Sequence, residues 1–102
     1  MTTRLSAALL AVACATMAPA AQAGVIERAC LKSDRPAVTR ILCDCIQTVA
    51  DTTLTRSDQR LAAKFFRDPH RAQEVRQSDK PSHEVFWQKY KKFGASAENV
   101  CG

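Results

Sequence analysis

The sequence predicts an all-α fold, a small bundle of four to five short helices stapled by two disulfides. Three observations carry that expectation. Apolar residues recur three and four apart over several stretches, no stretch alternates as a strand does, and four cysteines sit in a segment too small to bury a large core. The chain shows no internal repeat.

It opens with Arg4, an apolar run from Leu5 to about Met17, then Pro19 and the small-residue sequence Ala21-Gln22-Ala23. One early positive charge, a short apolar stretch and an Ala-x-Ala site are the three parts of an export signal. A membrane span needs ~20 apolar residues, and Pro19 and Gln22 interrupt this run. Residues 1–23 therefore read as a signal peptide cleaved after Ala23, leaving 24–102 as one periplasmic domain without a transmembrane segment. Lipid attachment at Cys14 is a minor alternative, since Ala11 stands where a lipobox has Leu.

Cleavage after residue 23 of 102 leaves 79 residues. A chain of that size buries only about two-thirds of its unfolded surface, so covalent links matter. Of the 5 cysteines, four remain after Cys14 is lost: Cys30, Cys43, Cys45 and Cys101. An even number in an exported chain reads as two disulfides.

Gly24 to Lys32 reads as a short helix or turn with Val25, Ile26, Ala29 and Cys30 inward. Ser33 to Pro36 then stops and restarts the chain, with Ser33 or Asp34 as a cap and Pro36 in the first turn of the next helix. That central helix, Pro36 to Thr53, places Val38, Ile41, Leu42, Cys45, Ile46 and Val49 on one side and Arg40, Asp44, Gln47 and Asp51 opposite. Cys45 lies mid-stripe, and Cys43, rotated from it by roughly 200°, lies at the edge with Ala50.

Two thiols diverging on one helix do not easily bridge each other, which leaves two pairings open. Cys30–Cys43 with Cys45–Cys101 is preferred, because an edge-facing Cys43 suits a short flanking helix and a core-facing Cys45 suits a returning C-terminus. The other is Cys30–Cys45 with Cys43–Cys101. Loops of about 14 and about 57 residues are worth ~3 and ~4 kcal/mol in the chain-entropy account.

A third helix, Asp58 to Arg67, follows a cap at Thr55 or Ser57 and turns Leu61/Phe65 and Ala62/Phe66 to the core. Asp68-Pro69 marks a kink or a new start, with Asp as cap and Pro first, and His70 to Gln77 is a nearly all-polar helix. Ser78 to Ser82 is a linker. Ser82 caps a last helix whose Val85, Phe86, Tyr90 and Phe93 share a face, Gly94 ends it, and the tail to Gly102 carries Cys101 back. The aromatic residues, at helical spacing, read as core rather than as a binding cage, with Trp87 off the main stripe.

The motifs that carry chemistry are weak. Cys43-Asp44-Cys45 supplies bridge points; a redox dithiol would need an accessible, low-pKa thiolate, and a soft-metal site would have to recruit the other cysteines or a histidine. His70 and His83 stand thirteen apart with no metal or haem spacing. No nucleophile, base and orienting acid are announced together. The chain reads as a non-enzyme, with no catalytic residues, no metal site and no cofactor, and thiol redox or metal handling is the alternative.

Charge is more informative. The chain carries 15 Lys and Arg against 10 Asp and Glu, and without Arg4 the balance is 14 to 10, net +4. Arg60, Lys64, Arg67 and Arg71, spaced four, three and four apart, would share one face of a continuous helix. Lys89, Lys91 and Lys92 add a second basic cluster near Trp87. These seven residues are the candidates for binding an anionic envelope surface or an acidic protein partner; nucleic acid is excluded as a partner by export.

The runs Ile26-Glu27-Arg28-Ala29-Cys30-Leu31-Lys32-Ser33-Asp34-Arg35, Leu42-Cys43-Asp44-Cys45-Ile46-Gln47, and Leu54-Thr55-Arg56-Ser57-Asp58-Gln59-Arg60-Leu61 on to Arg76 carry a resemblance. Over almost all of 24–102 the chain resembles a family of short exported alphaproteobacterial four-cysteine proteins often named arginine transporter. A transporter needs spanning helices or a closed barrel, and the only long apolar run lies in the signal. What the resemblance implies is therefore an accessory periplasmic component linked to arginine transport, with no established site residues to carry over.

Overall fold

The computed structural model of the chain describes residues 24–102; the expected signal peptide and cleavage site, and Cys14, lie outside the described residues. Five helices follow in order: α1 (Val25–Leu31), α2 (Arg40–Thr53), α3 (Arg56–Arg67), α4 (Pro69–Arg76) and α5 (Pro81–Cys101). No strand occurs among the described residues. The helices pack as a closed ring: α1 lies between α2 and α3, α3 leads to α4, α4 to α5, and α5 returns to α2. None of the described helices is long and apolar enough to cross a membrane.

α1 is too short to persist alone, and burial holds it. Ile26 is fully buried, with Ala29 and Cys30 beside it. The chain then turns, and α2 begins later than the sequence suggests. Its cap is Thr39, whose hydroxyl accepts the Leu42 N–H at 3.0 Å; Pro36 and Ala37 form a turn outside the helix.

The buried side of α2 is also rotated from the apolar stripe. Cys43, Gln47, Val49 and Ala50 are buried, whereas Ile41 is 85 % exposed. Ile41 lies roughly 200° round the helix from Cys43. Because the bridge to α1 draws Cys43 inward, Ile41 is left on the far side.

Thr55 and Asp58 start α3 with a reciprocal capping box: the Thr55 hydroxyl accepts the Asp58 N–H, and the Asp58 carboxylate accepts the Thr55 N–H, each at 3.1 Å. This satisfies two otherwise free backbone donors. Asp68 ends α3 and caps α4, its carboxylate accepting the His70 N–H, with Pro69 first in the new helix. α4 buries only Val75, which explains its polar sequence.

α5 departs most from expectation. Pro81 is its first residue, Lys80 its cap position, and no side chain caps it; Ser78 instead accepts the Lys80 N–H. The helix runs through Gly94 without a break and ends at Cys101, so Gly94 is not a cap and the tail is helical. Val85, assigned to the core face, is 61 % exposed.

The core joins Ile26, Ala29, Val49, Ala50, Leu54, Ala62, Ala63, Phe65, Val75, Phe86 and Phe93. Phe65 meets the rings of Phe86 and Tyr90 edge-on at 5.8 and 5.2 Å between centroids. Such T-shaped pairs add about 0.5–1.5 kcal/mol each beyond area burial. Trp87 is partly buried and tilted against Tyr90 at 5.2 Å. Arg35 closes the turn before α2 by placing its guanidinium 5.5 Å from the centroid of the Phe66 ring.

Candidate functional site

The cysteines pair as Cys30–Cys43 and Cys45–Cys101, with Cα separations of 5.6 and 5.8 Å. That is the preferred connectivity, reached for a different reason. Cys43 is fully buried and Cys45 only half-buried, the reverse of the helical-wheel assignment. Cys43 faces α1 because α1 covers that side of α2, and Cys45 meets α5 near the outer margin of the α2–α5 contact. Both bridges consume all four cysteines of the described segment.

Beneath the junction of α1, α2 and α3 lies an amide network that no motif announces. Gln47 accepts the Glu27 backbone N–H at 2.9 Å and donates to Gln59 at 2.9 Å and to Asp51 at 2.8 Å. Gln59 in turn donates to Asp51 and to the Leu54 carbonyl. Both amides are buried, and no buried side-chain polar atom among the described residues is left without a partner. Buried amides cost stability unless every group is matched, so the network orients three helices at once.

Above this floor opens a cleft of about 520 Å³ lined by the acids Glu27, Asp44 and Asp51, by the arginines Arg28, Arg56 and Arg60, and by Gly24. Gly24 fits through space rather than backbone freedom: a Cβ there would come within 2.3 Å of Gln47.

The basic residues fall into unequal groups. Arg60, Lys64, Arg67 and Arg71 are all exposed. The break at Asp68 interrupts the helix on which they were aligned, yet Lys64, Arg67 and Arg71 still surround one depression of about 300 Å³, together with Asp68. Arg60 lies one turn earlier, on the edge of the larger cleft.

On α5, Lys91 and Lys92 are exposed, but Lys89 is turned to Asp58 and donates to its carboxylate at 2.5 Å. Burial raises the Asp58 pKa, but the hydrogen bonds from Lys89 and Thr55 outweigh it and hold the carboxyl below its ordinary value. Lys89 thus ties α5 to the start of α3.

The short first helix was expected, but its basic residues were not among the seven candidates. Arg28 and Lys32 line a second depression with Arg67, so the basic face continues from α3 onto α1. Their spacing of four was visible, but nothing in it announced that α1 lies beside α3.

His70 is exposed and 3.5 Å from Glu74, and the His83 ring meets the Ser78 hydroxyl at 2.7 Å. Among the described residues no three His, Cys, Asp or Glu side chains gather as a metal-binding group. Burial raises the Tyr90 pKa against the opposing charge of Arg35, consistent with Tyr90 as a core residue.

Comparison of the chain with known protein families, curated proteins and solved structures finds no match.

Proposed function

We propose that the protein is an exported, periplasmic binding or accessory factor that acts through the basic face of α3 and α4 on an anionic envelope surface. The observation that carries this reading is the grouping of exposed Lys64, Arg67 and Arg71 around one depression, extended by Arg60, with Asp68 as the only acid lining that depression. Cations brought together on one surface raise the local potential and attract anionic partners, an effect that salt screens. Lys91 and Lys92 form a secondary contact. The two bridges, which persist in oxidising compartments, support export.

The test is salt-sensitive retention on liposomes containing anionic lipid or on lipopolysaccharide. Changing Arg60, Lys64, Arg67 and Arg71 to Gln together should abolish most of it, whereas unchanged retention removes this face from consideration.

A second reading, an accessory role in arginine transport, draws support from the cleft carboxylates Glu27, Asp44 and Asp51, since a guanidinium is recognised by facing carboxylates. Calorimetric titration with arginine decides it. No heat and no stabilisation would end it.

A further inference from the structure

We infer that the notch between α1 and α3 seats the phosphate group of an anionic lipid, making it the specific contact within the basic face; this rests on the anionic-surface reading above. The α1 wall supplies Val25, Arg28, Ala29 and Lys32, successive residues of one helical face, and the α3 wall supplies Ala63 and Arg67. The notch holds about 180 Å³. Ala29 and Ala63 are buried and form its floor, while Lys32 and Arg67 are exposed at its rim.

A cationic rim over a small apolar floor suits a phosphate carried on a partly apolar body. The long stems of Lys and Arg extend the apolar surface while their heads remain in water. Arg67 also lines the neighbouring depression with Lys64 and Arg71. One side chain therefore stands between two adjacent basic sites, and a surface bearing many headgroups can engage both. A guanidinium in that position presents several donors in a fixed plane and pairs with phosphate oxygens more selectively than an ammonium does.

The experiment is co-sedimentation with vesicles of phosphatidylcholine containing phosphatidylglycerol, against vesicles of phosphatidylcholine alone, at fixed salt. Lys32→Gln should weaken binding about fivefold, the loss expected for one cation at an anionic surface, and Arg67→Gln more than that. Arg40→Gln and Lys80→Gln, which remove the same charge from exposed positions elsewhere, should each change it less than about twofold. Ala63→Val narrows the notch without altering charge and should weaken binding as Lys32→Gln does, with circular dichroism and a urea midpoint confirming that each variant is folded.

Equal losses for all four charge variants would overturn the notch and leave the broader basic-surface reading in place. Failure of the unaltered protein to sediment with anionic vesicles would overturn both. Inorganic phosphate is the separate arm: amide shifts at Ala29, Lys32 and Ala63 without vesicle binding would assign the notch to free phosphate and overturn the lipid as its occupant.

Discussion

Gln47 on α2 donates its amide to Gln59 on α3 at 2.9 Å, and both side chains are only 8 % exposed. The same Gln47 accepts the Glu27 N–H from α1, so one polar side chain joins three helices. Truncation by Gln47→Ala would leave the Glu27 donor and the Gln59 acceptor without these partners. Each buried unmatched group costs about 1–3 kcal/mol, so a loss of about 2–4 kcal/mol is expected in urea unfolding. The double change Gln47→Leu with Gln59→Leu should cost less than the sum of the two single Leu changes, because it removes donor and acceptor together. Additive losses would show that the two amides do not act as a unit.

Gly24 depends on the same side chain. Its φ of −63° is open to any residue, but an added Cβ would lie 2.3 Å from Gln47. Gly24→Ala should therefore push Gln47 from its bonds and lower stability by about 1–3 kcal/mol, the range for overpacking. In a Gln47→Ala background the same change should cost under about 0.5 kcal/mol, since the obstructing group is gone. A full cost in both backgrounds would locate the strain elsewhere.

The exposed Ile41 gives a test of the rotated α2 face. Ile41→Gln should alter stability by no more than about 0.5 kcal/mol, as expected of a surface position, whereas Ala50→Gln should be severely destabilising because Ala50 is fully buried. The sequence-based stripe predicts a large loss at Ile41. Thermal or urea unfolding of the two variants separates the alternatives directly.

Periodicity and caps made much of this fold legible. Thr55, Asp68 and Pro69 mark α3 and α4 because their side chains or rings solve problems local to a helix end. What periodicity could not show was which neighbour covers which side. Hydropathy ranked Ile41 above Gln47, but α1, drawn in by Cys30–Cys43, covers Cys43 and Gln47. Gly94 looked like a stop signal, yet the contact of α5 with α2 and the Cys45–Cys101 link accompany a helix continuous through it. The basic face was half legible: Arg60 to Arg71 lie close in sequence, while Lys32 joins Arg67 only through the packing of α1 on α3.

Asp58 makes the clearest prediction about pH. Its side chain is 12 % exposed, and Oδ2 accepts both the Thr55 N–H at 3.1 Å and the Lys89 ammonium at 2.5 Å. Burial acts to raise its pKa, but the bonds from Lys89 and Thr55 prevail and the folded-state value falls below the ordinary 3.8. A depressed carboxyl stabilises the fold above its unfolded pKa, and that contribution disappears as pH falls through the lower folded value. Asp58→Asn should therefore reduce stability at pH 7 by about 1 kcal/mol, the usual worth of a helix cap. Below about pH 4 the gap between the variant and the unaltered protein should narrow, because protonation removes the charge that the variant already lacks. Lys89→Met should weaken the same pH dependence while leaving the Thr55 capping bonds in place. Urea unfolding of the three proteins between pH 2 and 7 checks this, and parallel stability curves for Asp58→Asn and the unaltered protein would exclude Asp58 as a source of the acid sensitivity.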